Sequence, residues 1–251
     1  MNWLVVTLFL ALAGALIWIA GVKAGQAARL RERQLWTGIA RDIAHQFGTP
    51  LSALMGWLDI LPTAKSVESI LPEMQHDLER LRIILNRLSQ VSAPSRFVPI
   101  SLRQMTSELH SYFQKRLPSG ERGVTIIEEI SGDPQAQGQP DLMLWALEHL
   151  VKNAADALEG RAGKIILRAR EEGDNVEIQI EDSGRGIQRK LLSKIFAPGF
   201  TTKNGGRGLG LALAALIIEE HHQGKVIVKE SIMGKGTTIS IILPKAGPAP
   251  L

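Results

Sequence analysis

The chain contains no cysteine, which excludes disulfides, thiolate nucleophiles and cysteine-bound metals together. Aromatic residues make up only 5% of its 251 residues, and no basic stripe is interleaved with them. The formal charge of +4 therefore does not point to nucleic acid as a partner. HExxH or a comparable ligand cluster is missing, so no structural metal is expected. The phosphate loop GxxxxGKS or GxxxxGKT is missing too. There is no internal repeat. What remains is an ordinary balance of 45% hydrophobic and 22% charged residues, the proportions of a folded chain with room for one large domain or two small ones.

Charge is also absent locally. Trp3 to Val22 carries no ionisable side chain, and as a helix it would measure about 30 Å, the depth of a bilayer core. Trp3 and Trp18 sit toward its ends, where indoles favour the interface. Lys23, Arg29, Arg31 and Arg33 follow, and by the positive-inside rule that flank stays in the cytoplasm. A cleaved leader would need a basic residue before the run and a shorter apolar core. The expectation is a single-pass anchor at residues 3–22 in the cytoplasmic membrane, with almost nothing beyond it and the rest of the chain in the cytoplasm.

Residues 24–93 read as two amphipathic helices. Trp36, Ile39, Ile43, Phe47, Leu51, Leu54, Leu58 and Leu61 recur at steps of three or four, one stripe of a helix. Leu71, Met74, Leu78, Leu81, Leu85 and Leu88 make a heptad-like seam on the second. The segment from Pro62 to Pro72 reads as the turn between them. Two such helices cannot bury their stripes alone, so pairing of two copies into a four-helix bundle is expected. Residues 94–100, with Pro94 and Pro99, read as a linker.

Residues 101–245 mix periods. Helices are predicted at Leu102–Leu117, Asp141–Leu158 and Leu209–His221, and strands at Val124–Ile130, Ile165–Arg170, Val176–Glu181, Lys225–Glu230 and Thr237–Leu243. In Val176–Glu181 the apolar residues alternate with Glu177, Gln179 and Glu181, which predicts one buried and one wet face. The fold class expected is α+β, an α/β sandwich with helices on one face of a mixed sheet.

His45 lies two residues from both Ile43 and Phe47, about 200° of helical turn, so it points away from the apolar stripe. Small and polar residues share its face: Gly38, Arg41, Thr49, Ser52 and Gly56. A large partner would have room to approach. Pro50 crowds the carbonyl of Gln46, which predicts a kink one turn past the histidine.

The segment AHQFGTPL resembles the H-box of sensor histidine kinases. That resemblance implies His45 as phosphoacceptor and Thr49 as the residue orienting water for dephosphorylation of a partner regulator. The position after the histidine is generally acidic in the family. Here it is Gln46, which accepts the ring N–H but cannot hold a proton near neutral pH.

Further segments resemble the ATPase superfamily that histidine kinases share with a heat-shock chaperone, mismatch-repair ATPases and type II topoisomerases. LEHLVKNAADAL resembles the N-box and implies Mg²⁺ on Asn153, an oxygen ligand suited to a hard cation; His149 stands where the family often has a second Asn. EDSGRGI implies Asp182 as acceptor of the adenine amino group, with Gly184 and Gly186 allowing close approach of backbone. Asp182 shows no other partner at the end of an alternating strand. FAPGFTTKNGGRGLGLALA resembles the F-box and lid, implying Thr201, Thr202, Lys203 and Arg207 near the phosphates, and Gly206, Gly208, Leu209 and Gly210 opening a helix whose N–H groups meet phosphate oxygens. KESIMGKGTTISIILP resembles the closing hairpin.

The resemblance, spanning about Arg33 to Lys245, implies an ATP- and Mg²⁺-dependent protein-histidine kinase. Its partners would be a response regulator, a second copy of itself and, through one helix, a lipid bilayer, but not nucleic acid; regulator phosphatase activity is also open. Two alternatives stand beside this reading: a pseudokinase scaffold that transfers poorly because of Gln46, or an ATPase or serine kinase with the same nucleotide fold.

Overall fold

The computed structural model describes residues 40–247, apart from 41–43, 45, 62–66, 93–96, 118–122, 204–205 and 207. The apolar run Trp3–Val22 and His45 lie outside the described residues. Among the described residues no helix is long and apolar enough to cross a membrane.

The first two helices are α1 (residues 46–60) and α2 (Leu71–Ser92). Pro72 belongs to the first turn of α2 rather than to the preceding turn, a position where its missing N–H has no helical partner to lose. Trp57 donates its indole N–H to Asp77 Oδ2 at 3.2 Å and ties α1 to α2. The expected seam on α2 divides. Ile70, Asp77 and Ile84 are buried, whereas Leu71, Leu78 and Leu85 are exposed at heptad spacing.

The remainder runs β1 (Val98–Ser101), α3 (Leu102–Gln114), β2 (Val124–Ile130), β3 (Gln135–Gly138), α4 (Pro140–Ala157), β4 (Gly163–Glu172), β5 (Asn175–Asp182), α5 (Gly210–Leu216), β6 (Lys225–Ile232) and β7 (Gly236–Pro244). One five-stranded sheet has the order β2-β4-β5-β7-β6. Its β2–β4 pair is parallel and the others antiparallel, as the crossover through α4 and the two hairpins require. The expected mixed sheet is therefore present. The β1–β3 pair was not foreseen: Val98 to Ser101, read as the end of a linker, pairs antiparallel with Gln135 to Gly138.

The helices cover one face of the sheet. A row of apolar side chains, Ile130, Ala169, Ile178, Ile241 and Val226, crosses all five strands in register. It meets Leu109 of α3, Leu147 and Leu150 of α4 and Ile217 beyond α5 in one core. Ser101 caps α3 by accepting from the Gln104 N–H at 3.1 Å. Pro140 opens α4 with Asp141 in the first turn, where its charge suits the helix dipole.

The opposite face of β5 is not wet as expected. Glu177 and Gln179 are buried because neighbouring strands roof them with long polar side chains. Glu177 accepts from Ser240 Oγ at 2.6 Å and Lys229 Nζ at 3.0 Å, with Arg170 at 2.6 Å from its other oxygen. Burial alone would raise its pKa, but those partners and Gln179 hold it down at about 2.

His222 closes the helical layer. It is 1% exposed; its Nε2 accepts from the Gln139 N–H at 3.0 Å and its Nδ1 donates to the Ile217 carbonyl at 2.8 Å. These bonds require the neutral ring and join the start of α4 to the end of the α5 segment. A Cβ at Gly138 would lie 2.4 Å from the ring, so only glycine fits there. Burial pushes the His222 pKa below its usual 6.5. The stability this neutral ring contributes is complete above pH 6.5 and is lost as pH falls below it. His222→Ala should cost about 2–4 kcal/mol in denaturant melts at pH 7.5, and its deficit relative to wild type should shrink on acidification toward pH 5.

Candidate nucleotide-binding site

Helix α4, the end of β5, the loop after it and the glycine-rich approach to α5 enclose a cavity of about 540 Å³. Asn153, Asp182, Gly186, Thr201, Thr202, Lys203, Gly208, Leu209 and Gly210 line it together. So does Gln46, the residue after His45, reached because Phe47 packs against the core from α1. Thr49 is exposed on α1 and does not line the cavity. Arg207 lies outside the described residues.

Asp182 is 6% exposed at the end of β5. The expectation that it has no other partner is corrected. Its Oδ1 accepts from the Gly184 N–H at 2.8 Å, and the Thr237 backbone also donates to it. Burial outweighs these bonds and raises its pKa to about 6, because little water remains to solvate the charge. At neutral pH it is a carboxylate with no cation beside it among the described residues, an acceptor suited to a neutral N–H donor.

The glycines after it permit close packing of backbone. Gly186 has φ +73°, and a Cβ there would lie 2.3 Å from the Ile232 carbonyl oxygen. Gly208 has φ +63°, with the Phe200 carbonyl oxygen 2.3 Å from where its Cβ would stand. A larger residue at either position would displace the loops that shape the cavity. Leu209 and Gly210 then start α5, which passes without a break into a π-helical turn at Ile217–His221, an irregularity within the helix expected there.

Lys203 Nζ reaches α4, 3.3 Å from Asn153 Oδ1 and 2.8 Å from Asp156 Oδ2. Arg185 donates to Thr202 Oγ1 at 2.7 Å and pairs with Glu159 at 3.1 Å. Asp156 and Arg185 were not singled out from sequence. Asp156 follows Asn153 by three residues, a spacing that shares a helix face, and Arg185 stands between the two loop glycines; both signals were readable. His149 packs beside Gly210, with its Nδ1 3.1 Å from a Cβ built there, and is tilted against the Trp145 ring.

Residues 138–247 match the family of histidine kinase-, DNA gyrase B- and HSP90-like ATPases. Over 211 residues the chain is 31% identical to the sensor histidine kinase ZraS of Escherichia coli (strain K12), a match covering 82% of this chain and 45% of ZraS. Residues 138–247 are thus a histidine kinase-type ATPase domain, and the chain is similar to the sensor histidine kinases. It spans about half the length of the curated relatives it matches. The solved catalytic domain of the histidine kinase ThkA aligns with a TM-score of 0.52 at 28% identity, over 60% of this chain and 96% of that one. ThkA solved in complex with the response regulator protein TrrA shares the fold over 82% of this chain and 61% of that one, with a TM-score of 0.52 at 23% identity.

In this kinase-type ATPase domain the buried charge of Asp182 carries a stability penalty. Its pKa of about 6 exceeds its usual 3.8. The penalty is therefore absent below about pH 4 and complete above about pH 6. Asp182→Asn should raise the melting temperature at pH 7.5 by an amount corresponding to about 1–2 kcal/mol, with no gain near pH 4. Calorimetry at pH 7.5 should show ADP binding weakened by about tenfold or more, since the amide loses the charged acceptor.

Proposed function

We propose that this chain is an ATP-dependent protein-histidine kinase that phosphorylates its own His45 and passes the phosphate to an aspartate of a response regulator. The observation that carries this reading is the cavity shared by Asn153, Asp182, the glycines of the α5 approach and Gln46. A nucleotide pocket in one chain is thereby lined by the covalent neighbour of the phosphoacceptor.

Asp182 accepts the hydrogen bond of the adenine amino group. Backbone N–H groups from Gly208 to Gly210 and the Lys203 ammonium receive phosphate oxygens. The donor set fits Mg²⁺. Asn153 Oδ1 and Asp156 Oδ2 are oxygen ligands that already gather around a positive charge, the Lys203 ammonium. Bound with the nucleotide, Mg²⁺ would supply neutralisation of the charge that develops between the β- and γ-phosphates. Gln46 accepts the ring N–H of His45 and fixes the tautomer whose free nitrogen attacks the γ-phosphorus. The N–P bond forms as the bond to the ADP oxygen breaks, and the ring proton passes to solvent. Phosphoryl transfer of this kind depends on positioning and charge neutralisation more than on a base, so an amide at position 46 suffices. Thr49, which is exposed on α1, orients water in this reading when a regulator docks on the face of small and polar residues that it shares with His45 in the sequence pattern.

Exposed Leu71, Leu78 and Leu85 support a homodimer in which α2 packs on its copy through a heptad seam. The uncharged run Trp3–Val22 and its basic flank support a single-pass anchor in the cytoplasmic membrane, with the catalytic region in the cytoplasm.

Incubation with ATP labelled at the γ-phosphate should yield an acid-labile, base-stable phosphoprotein, and His45→Ala should abolish it; label surviving in that variant removes the assignment. Gln46→Glu distinguishes orientation from proton acceptance at this position. A gain of a few-fold in labelling rate is expected, against up to about 10²-fold if a base were limiting.

A further inference from the structure

Asn153 and Asp156 stand one turn apart on α4 and face the cavity, yet the pair looks mismatched to a triphosphate. A carboxylate within about 4 Å of a phosphate oxygen meets a repulsion of several kcal/mol in a partly dry site, unless a cation stands between them. The structure places such a cation there. The Lys203 ammonium donates to Asn153 Oδ1 across 50 residues of sequence and to Asp156 Oδ2 across 47. The side chains of Lys203 and Asp156 are 37% and 44% exposed, so burial does not force the contact. Charge and donor geometry select it. An ammonium is a compact point charge with several donors on a flexible stem. It satisfies two oxygens arranged for a small cation, and it is free to leave them.

We propose that Asp156 is a second protein ligand of the divalent cation that accompanies the nucleotide, and that Lys203 holds this cation's place in the nucleotide-free protein. The proposal rests on the nucleotide reading of the cavity and adds to it a ligand and an exchange. An arriving divalent ion takes the two oxygens, which suit a cation that binds through one or two carboxylates plus substrate phosphates. Lys203 Nζ is released at the same moment, next to the phosphates that need a positive partner. The positive charge against α4 is thus never removed, only replaced. Asp156 is never left as an unpaired anion beside the phosphates.

Two measurements on the full chain test this. The first is ADP affinity by calorimetry, in EDTA and in saturating Mn²⁺. In Asp156→Asn the tightening produced by Mn²⁺ should fall about tenfold, with metal-free affinity equal to wild type or higher because an anion has gone; Asp156→Glu should recover part of the tightening. The second is Mn²⁺ binding without nucleotide, read from the electron spin resonance signal of the free ion. Lys203→Met should bind Mn²⁺ about tenfold more tightly than wild type, and the double variant with Asp156→Asn should lose that gain. Equal metal dependence of ADP binding in wild type and Asp156→Asn overturns the ligand assignment. A Mn²⁺ gain absent from Lys203→Met, or retained in the double variant, overturns the exchange. No ADP binding by the wild-type chain would instead remove the nucleotide reading on which both depend.

Discussion

The seating of α4 across the sheet is the constraint on which the site depends. Leu142, Met143, Ala146, Leu147, Leu150 and Val151 are completely buried along its inner face. Each large apolar side chain among them contributes about 1.5–3 kcal/mol by leaving water. The helix cannot roll without exposing them, so packing holds Asn153 and Asp156 toward the cavity, where Lys203 meets both. The clasp of His222 on the Gln139 N–H sets where the helix begins and therefore where those residues fall. The packing of the helix and the bond at its start together fix where Asn153 and Asp156 stand.

Within that frame the cavity holds two carboxylates in opposite circumstances. Asp182 is buried, accepts bonds from the backbone N–H groups of Gly184 and Thr237, and has a pKa raised to about 6. It is matched to an uncharged donor such as an aromatic amine. Asp156 is half-exposed and paired with an ammonium, an environment matched to a cation. The distinction is one of desolvation. A charge without a counter-ion is tolerated at the closed end, where its ligand is neutral, whereas at the open end charge is met by charge. One pocket thus offers an acceptor for an uncharged donor at one end and an acceptor for a cation at the other.

The helical hairpin is organised by a related economy. At the start of α2 and along it the residues that turn inward, Ile70, Asp77 and Ile84, include an acid held by the Trp57 indole. That polar bond fixes how the two helices align along their length, which a purely apolar seam would leave open to sliding. The leucines one position along, at 71, 78 and 85, are left outside, and they form a continuous stripe only because their spacing is seven.

Local signals were legible in the sequence because their causes are local. Alternation in β5 gives its inward face, since successive side chains of a strand must diverge. The asparagine, aspartate and glycine motifs name residues of the cavity lining because the chemistry of those residue types is local too. The β1–β3 pair was not legible: its strands are short, Gln135 to Gly138 has no apolar period, and its partner is distant in sequence. Nor was the burial of Glu177, since the arginine, lysine and serine that roof it come from β4, β6 and β7. By itself the sequence determined the principal helices and the strands of the five-stranded sheet, and it named many of the residues that line the cavity. Only the tertiary structure decided that Asp156 joins Asn153 under Lys203, and that Gln46 reaches the same cavity, because charge pairing across space depends on where packing sets each backbone and not on spacing along the chain.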